Sequence, residues 1–269
     1  MKTMVRSVYL LDGGTLEVES SMVVAGRDFG QLMRVPVQTY LLDTSRGYVL
    51  IDTGNNPGVI TDPVAAWGAE LAAGARPRME PRNHPYEQLS LLGVDAADVT
   101  SVIYTHLHHD HAGGASLFPG AQHIVQRAEW RWASSPDDFA SRPYVRTDFD
   151  RPDLSWMFVD GDLNVMPGIH LVSTPGHSPG HQSIVLWDAP GLGTLIIAGD
   201  AINCQSNIDG NVPPGLATDP GAAMHSMSRL VALAEATGAT ILNGHDMEQF
   251  AAMPKAPHPL SAPGPLVER

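Results

Sequence analysis

The sequence predicts an α/β fold in a single domain covering residues 1–269. Hydrophobic residues make up 43% of the chain and charged residues only 17%, a composition that excludes a disordered protein. The N-terminal third has strand patterns, and from residue 99 strand and helix patterns alternate. No repeat or linker divides the chain, and α/β folds of about 200–250 residues often form one domain.

The N-terminal third is predicted to be an antiparallel meander. Strands are expected at residues 5–11 and 16–24, because Asp12-Gly13-Gly14 between them is typical of a hairpin turn. Two further strands are expected at residues 36–43 and 48–52.

Residues 54–86 change in character and predict a long excursion. Five prolines surround an Ala-rich segment, residues 64–75, which predicts one helix inside the excursion. A second helix is expected at residues 87–92, ending near Gly93.

The rest of the chain predicts alternating strands and helices. Strands are expected at residues 99–105, 169–174, 183–187, 194–198 and 240–242, and helices at 128–133 and 221–236. Residues 137–153 are polar and contain prolines, which predicts a loop or lid. The Pro-rich tail, residues 254–269, is expected to extend along the surface or to fray.

Composition excludes several classes of protein. The formal net charge of −13 argues against nucleic acid or an anionic membrane as a partner. The single cysteine, Cys204, excludes an internal disulfide framework and a Cys-rich zinc module. Neither a long apolar run nor a signal peptide is found, so a cytoplasmic protein is expected.

The most informative segment is residues 106–111, with the sequence HLHHDH. It follows a predicted strand, and Gly113 and Gly114 after it are expected to let the backbone turn tightly. Imidazoles together with a carboxylate are the ligands that zinc uses. The segment therefore predicts a metal site at the carboxyl end of a strand.

Three more residues have the same placement. His177, Asp200 and His245 each follow a glycine at the end of an apolar strand, and loops from one sheet edge can converge. The candidate metal ligands are then His106, His108, Asp110, His111, His177, Asp200 and His245. These are more than one tetrahedral zinc ion takes, so the sequence predicts two divalent metal ions, with zinc expected.

The spacing of these residues resembles the metallo-β-lactamase superfamily. The matching motifs are HxHxDH with Gly-Gly at residues 106–114, TPGHxxGH at 174–181, Gly-Asp at 199–200, Gly-His at 244–245 and LIDTG at 50–54. Within the superfamily the chain looks most similar to the N-acyl-homoserine lactonases, the quorum-quenching lactonases.

This resemblance implies a fold and a ligand set. The fold would be an αβ/βα sandwich of two mixed β-sheets flanked by helices. The first metal would be bound by His106, His108 and His177, the second by Asp110, His111 and His245, and Asp200 would bridge them. The 54–86 excursion would form the contact of a homodimer.

The implied reaction is hydrolysis of a lactone, a small-molecule substrate. A hydroxide between the metals would attack the ring carbonyl, and Asp110 or Asp200 would carry a proton to the leaving ring oxygen. Two residues depart from the lactonase pattern: His109 stands where an apolar residue is usual, and Asn203 where a tyrosine is usual. The candidate substrate-binding residues are His109, Asn203, Met22, Trp67, Phe139 and Trp156.

Two other functions remain open from the sequence. The same metal site would serve a hydrolase of another lactone, such as a pyridoxal-derived lactone, or of an ester or thioester. A metal-binding regulator or scaffold without turnover belongs to another class, and an incomplete ligand set would favour it. Here the ligand set is complete.

Overall fold

The computed structural model describes residues 3–261. Two β-sheets pack face to face and helices cover both outer faces, so the predicted αβ/βα sandwich is confirmed. Among the residues described, no helix is both long and apolar enough to cross a bilayer.

The first sheet has seven strands. They are β1 (Val5–Glu19), β2 (Leu32–Thr44), β3 (Gly47–Ile51), β4 (Pro77–Arg78), β5 (Val99–Ile103), β6 (Gln122–Gln126) and β7 (Ser155–Val159). Their order is β4-β1-β2-β3-β5-β6-β7. The pairs from β4 to β3 are antiparallel and those from β3 to β7 are parallel, which makes the sheet mixed.

The second sheet has five strands in the order β12-β11-β10-β9-β8. They are β8 (Leu163–Met166), β9 (Ile169–Ser173), β10 (Gln182–Ala189), β11 (Gly193–Gly199) and β12 (Thr240–Asn243). Only the pair of β11 and β12 is parallel. Consequently β9, β11 and β12 run in one direction, and their carboxyl ends meet at one edge.

Ten α-helices surround the sheets in the part of the chain that is described. They are α1 (Ser20–Val23), α2 (Pro63–Trp67), α3 (Ala69–Ala75), α4 (Pro85–Ser90), α5 (His109–Ala112), α6 (Arg127–Ser134), α7 (Arg146–Phe149), α8 (Gln205–Gly210), α9 (Pro220–Thr237) and α10 (Met247–Ala252). Short 3₁₀ turns lie at Pro57–Ile60, Pro81–Asn83, Ala96–Asp98, Ala115–Leu117 and Asp138–Ala140.

The main core lies between the two sheets. Leu10, Leu42 and Ile51 from the first sheet pack in one buried cluster with Leu171 and Ile184 from the second. Separate clusters join each outer face to its helices, α9 in the case of the second sheet. Burial of apolar area on both faces of each sheet fixes the sandwich and hence the edge where the strands end.

The predicted hairpin at Asp12-Gly13-Gly14 is wrong. β1 is one long strand that pairs with β2 on both sides of these glycines, with a register shift between Asp12 and Thr15. Gly14 has φ +86°, and a Cβ on Gly13 would lie 2.8 Å from the carbonyl oxygen of Val37. The glycines therefore form a bulge in a paired strand, because long-range pairing with β2 outweighs the local turn signal.

The helix predicted for residues 64–75 is interrupted. Gly68, at φ 81° and ψ 159°, ends α2 and begins α3, so two short helices stand in its place. The loop predicted for residues 137–153 contains the short helix α7, and β6, β7, β8, α8 and α10 had no sequence prediction.

Part of the Pro-rich tail lies along β1. The backbone N–H groups of Ala256 and Leu260 donate to the carbonyl oxygens of Leu10 and Val8, at 2.9 and 2.8 Å. The prediction for residues 262–269 falls outside the described residues.

The Gly113-Gly114 pair has a different role from the one predicted. Gly113 has φ −60° and Gly114 has φ −91°, values that any residue adopts. A Cβ on Gly113, however, would lie 2.2 Å from the backbone nitrogen of Asn56. The pair permits close backbone packing beneath the HLHHDH segment rather than a tight turn.

This close approach predicts the effect of Gly113→Ala. We expect a loss of about 2 kcal/mol or more in the free energy of unfolding, because the backbone of Asn56 has to move. The matched control is Gly74→Ala in α3, where a Cβ meets nothing within 4 Å. That change should be neutral or stabilise by about 0.5–1 kcal/mol. Denaturant unfolding measures both, and equal stability of the two variants would contradict the packing role.

Candidate metal centre

The seven candidate ligands come from four strand ends at one edge of the sandwich. His106 and His108 follow β5, and Asp110 and His111 lie in α5 directly after them. The second sheet contributes the rest, with His177 after β9, Asp200 after β11 and His245 after β12. All seven side chains are buried, and none of these residues is more than 8% exposed.

Three histidines form the first group. The Nε2 atom of His106 lies 2.9 Å from Nδ1 of His108, and Nε2 of His177 lies 3.1 and 2.9 Å from these two atoms. Zinc–nitrogen bonds of about 2.0–2.1 Å place tetrahedral ligand atoms about 3.3 Å apart. Ring nitrogens that face one another at this spacing suit a shared cation.

Asp110, His111 and His245 form the second group. Oδ2 of Asp110 lies 3.6 Å from Nε2 of His111 and 3.5 Å from Nε2 of His245. The three ligand atoms all lie within 4.8 Å of one another.

Asp200 lies between the groups. Its Oδ1 is 3.2 Å from Nε2 of His111, and its Oδ2 is 3.4 Å from Nε2 of His177 and 3.2 Å from Nε2 of His245. The two oxygens of one carboxylate thus reach ligands of both groups, which is the geometry of a bridge.

Buried polar atoms without a hydrogen bond indicate whether these residues fit a metal ion. Nε2 of His111 and Oδ1 of Asp200 are buried and 3.2 Å apart, but their contact lacks hydrogen-bond geometry and neither atom has another hydrogen-bond partner among the described residues. Buried polar groups without hydrogen bonds are rare, because nothing compensates the free-energy cost of removing them from water. The donors present, imidazole nitrogens and carboxylates, are those of a divalent transition metal, so the residues fit a metal cofactor.

Burial and charge set the protonation of the ligands. Burial holds the pKa of His106, His108 and His177 below the usual value, which favours the neutral imidazole that binds metals. Burial opposes ionisation of Asp200 as well, but the neighbouring His245, His177 and His111 outweigh it and hold the pKa of Asp200 well below its usual value.

The second group demands positive charge. Burial alone would lower the pKa of His111 and His245, yet the carboxylates of Asp110 and Asp200 outweigh it. The pKa of His245 is raised to about 9, and that of His111 lies well above its usual value. Either protons or a metal cation can supply this charge.

Hydrogen bonds orient the ligand rings. Nδ1 of His111 donates to Oδ2 of Asp52 at 2.8 Å, and Nδ1 of His245 donates to the carbonyl oxygen of Pro36 at 2.9 Å. Nδ1 of His177 donates to the carbonyl oxygen of Leu216 at 2.6 Å. Each contact turns Nε2 toward the centre, as in known metal sites.

His181 supports the site without joining it. Its Nε2 accepts the backbone N–H of Asp200 at 3.0 Å, and its Nδ1 contacts the hydroxyl of Thr174 at 2.8 Å. Both ring nitrogens are therefore engaged away from the metal groups.

A cavity of about 360 Å³ opens above the candidate ligands. Its floor contains His108, Asp110, His177, Asp200 and His245. Its walls include the apolar side chains of Leu16, Val18, Met22, Val35, Leu71, Phe139 and Leu216. Polar groups at the floor and apolar walls above are typical of a site for an amphipathic small molecule.

Four of the predicted substrate-binding residues line this cavity: His109, Asn203, Met22 and Phe139. Trp67 lies behind the lining, with its ring centroid 4.5 Å from that of His109. The prediction for Trp156 is wrong. Its ring packs instead among Tyr104, His123 and Trp130 on the outer face of the first sheet, because Trp156 pairs with His123 between β7 and β6.

Asn203 lines the cavity and is fixed by the backbone. Its Nδ2 donates to the carbonyl oxygen of Val23 at 3.1 Å, while its Oδ1 is buried without a partner among the described residues. One of the two amide N–H groups is thus engaged by the backbone.

Sequence reasoning missed two groups that shape the cavity. Leu71 lies in the 54–86 excursion, and Arg142 in the 137–153 loop forms an ion pair with Glu70 of α3. Both segments were recognised only as insertions, since no local motif reports which loops meet across a cavity.

Comparisons with known proteins agree with this geometry. A family model described as the metallo-beta-lactamase superfamily matches residues 32–245. The N-acyl homoserine lactonase AttM of Azorhizobium caulinodans is 36% identical over 256 residues, covering 93% of this chain and 97% of its own. AiiA of Bacillus thuringiensis subsp. kurstaki, also an N-acyl homoserine lactonase, is 31% identical over 245 residues, or 91% and 95% of the two chains.

A solved structure agrees as well. An N-acyl homoserine lactone hydrolase, with the product N-hexanoyl-L-homoserine bound at its catalytic metal centre, has a TM-score of 0.87 and 31% identity. The match covers 96% of this chain and 100% of that one. The resemblance inferred from the motifs is confirmed: the chain belongs to the metallo-beta-lactamase superfamily, in which N-acyl homoserine lactonases are its relatives.

Proposed function

We propose that this chain is a metal-dependent lactonase that opens the ring of N-acyl homoserine lactones by hydrolysis. The observation that carries the proposal is the convergence of seven buried metal-type donors, five of which line the floor of an apolar-walled cavity. The similarity to N-acyl homoserine lactonases over more than nine-tenths of the chain supports the substrate class.

Two zinc ions are the proposed cofactor. The first would be held by His106, His108 and His177, the second by Asp110, His111 and His245, with Asp200 between them. Five imidazoles and two carboxylates suit zinc, and their number suits two ions rather than one. When bound, the ions supply a Lewis acid that polarises the ring carbonyl and makes the attacking water more acidic.

The carboxylates of the chain provide the proton transfer. The low pKa of Asp200 keeps it ionised, and both Asp200 and Asp110 line the cavity floor. Either can receive a proton from the attacking water and pass it to the ring oxygen as the ester bond breaks. A serine nucleophile is not required.

The apolar walls would hold the acyl chain. Met22 and Phe139 stand at the mouth, where they are 37% and 73% exposed. Burial of a hydrocarbon chain against such side chains stabilises binding by about 25 cal/mol per Å² of apolar area removed from water.

Asn203 is the reason to consider a second substrate class. One of its two amide N–H groups donates to Val23, and this side chain stands where the lactonases usually carry a tyrosine. Another lactone, an ester or a thioester would use the same metal groups.

A homodimer contact through residues 54–86 and a cytoplasmic location stay predictions.

The metal content of the protein tests the dinuclear proposal. Protein purified without chelator should contain about two equivalents of divalent metal, chiefly zinc, by elemental analysis. Removal by a chelator should abolish hydrolysis, and added zinc should restore it. Full activity at one equivalent or less would contradict the dinuclear proposal.

The products distinguish ring opening from amide cleavage. We expect N-acyl homoserine from N-acyl homoserine lactone, and acidification of the products should regenerate the starting lactone. Mass spectrometry before and after acid treatment measures this, with metal-free protein as the control. Free homoserine lactone would show that the amide is cleaved instead.

Asn203→Ala should have a small effect on turnover. Loss of a well-aligned oxyanion donor lowers kcat about 10²–10³-fold, but here the side chain is shorter than a tyrosine and one of its two N–H groups donates to Val23. We therefore expect a decrease of less than about tenfold, with both metals retained.

Asn207→Ala is the matched structural control, because its Nδ2 also donates to the carbonyl oxygen of Val23, at 3.2 Å. A hundredfold decrease in kcat confined to the Asn203 variant would mean that its amide contacts the reacting oxygen.

A further inference from the structure

We propose that Glu129 is a positioning residue that holds together the two chain segments carrying the first metal group. The inference rests on the proposed dinuclear site and deepens it, since it assigns the assembly of one group to a single carboxylate. Glu129 lies in the first turn of α6, outside the cavity lining, and is 0% exposed.

The two carboxylate oxygens are divided between the segments. Oε1 accepts the backbone N–H of Leu107, at 3.0 Å, and Leu107 lies between His106 and His108. Oε2 accepts the hydroxyl of Ser178 at 2.6 Å and the backbone N–H of Gly180 at 3.3 Å, directly after His177.

These contacts join parts of the chain that are otherwise far apart. His106 and His177 are 71 positions apart in sequence and follow strands of different sheets. Nevertheless their Nε2 atoms must come within 3.1 Å of one another to form the group. The carboxylate of Glu129 binds one segment with each of its oxygens and so holds the two histidines close together.

The packing around Glu129 is equally close. A Cβ on Gly180 would lie 1.9 Å from the backbone nitrogen of Glu129, so only glycine lets this loop rest on the start of α6. A fourth donor, the hydroxyl of Tyr144, reaches Oε1 at 3.2 Å but belongs to the 137–153 loop and carries no ligand. Four donors offset part of the free-energy cost of burying the carboxylate.

The second metal group has no such link to Glu129. The four hydrogen bonds involve no residue next to Asp110, His111 or His245. Glu129 therefore supports only the first metal group. A change at Glu129 should weaken metal binding by the first group and leave binding by the second group unchanged.

Glu129→Gln tests this directly. A glutamine has one acceptor oxygen, so it can accept from Leu107 or from the Ser178–Gly180 segment but not from both. Metal-free protein is titrated with zinc in competition with a chromophoric chelator. Loss of a supporting contact of this kind lowers metal affinity about 10–100-fold. We expect that decrease for one of the two ions, with the other changed by less than about threefold.

A matched pair of hydroxyl deletions keeps the test decisive if Glu129→Gln does not fold. Ser178→Ala and Tyr144→Phe each remove one donor to the same carboxylate. Only Ser178→Ala should lower the affinity for one ion, because Ser178 directly follows the ligand His177 in the chain. Tyr144→Phe removes a hydroxyl from a loop without ligands and keeps the ring that packs against His108. Equal affinities in all variants, equal weakening of both ions, or an equal effect of Tyr144→Phe would overturn the proposal.

Failure of the proposed function would look different. Wild-type protein that binds two ions tightly but hydrolyses no lactone would refute the lactonase proposal alone. Wild-type zinc binding with unchanged affinities in Glu129→Gln would refute the positioning role alone.

Discussion

The structure depends on one electrostatic constraint, the need of seven buried imidazole and carboxylate groups for positive charge between them. Asp200 lies within 3.4 Å of ring nitrogens from both metal groups, in a region where every ligand is buried. Removing such groups from water costs several kcal/mol each unless a partner compensates them. A metal cofactor at this centre supplies positive charge to imidazole and carboxylate donors together.

The rest of the fold supplies the rigidity that this centre needs. Strands of both sheets end at the same edge, and the core between the sheets fixes their spacing. Close packing at Gly113 and Gly180 leaves no room for a larger side chain beneath the ligand segments. Asp52 orients His111, while Glu129 connects the segments around His106 and His177. The candidate ligands thus follow regular strands, and the cavity walls combine residues of β1, β2 and α3 with Phe139 from a 3₁₀ turn and Leu216 from a loop.

Much of the site was predictable because its chemistry is local in sequence. The candidate ligands follow apolar strands, and strand ends in packed sheets converge, so the positions of the seven residues along the chain were enough to assign them to one site. Their division into two metal groups came from the family resemblance. The prediction of a hairpin at Asp12-Gly13-Gly14 was wrong because it depends on distant contacts. The same residues suit a bulge and a turn, and only pairing with β2 decides between them. The prediction for Trp156 failed for a similar reason, because its packing partner Trp130 lies in α6, another element of the chain.

The most direct test of the central constraint is the metal affinity of Asp200→Ala, measured by competition with a chelator. Since the carboxylate reaches both groups, its loss should weaken both ions together and abolish hydrolysis. His258→Ala, an exposed histidine remote in sequence from the candidate ligands, should change neither. An Asp200→Ala protein that keeps two tightly bound ions and its full rate would contradict the bridging role on which the account depends.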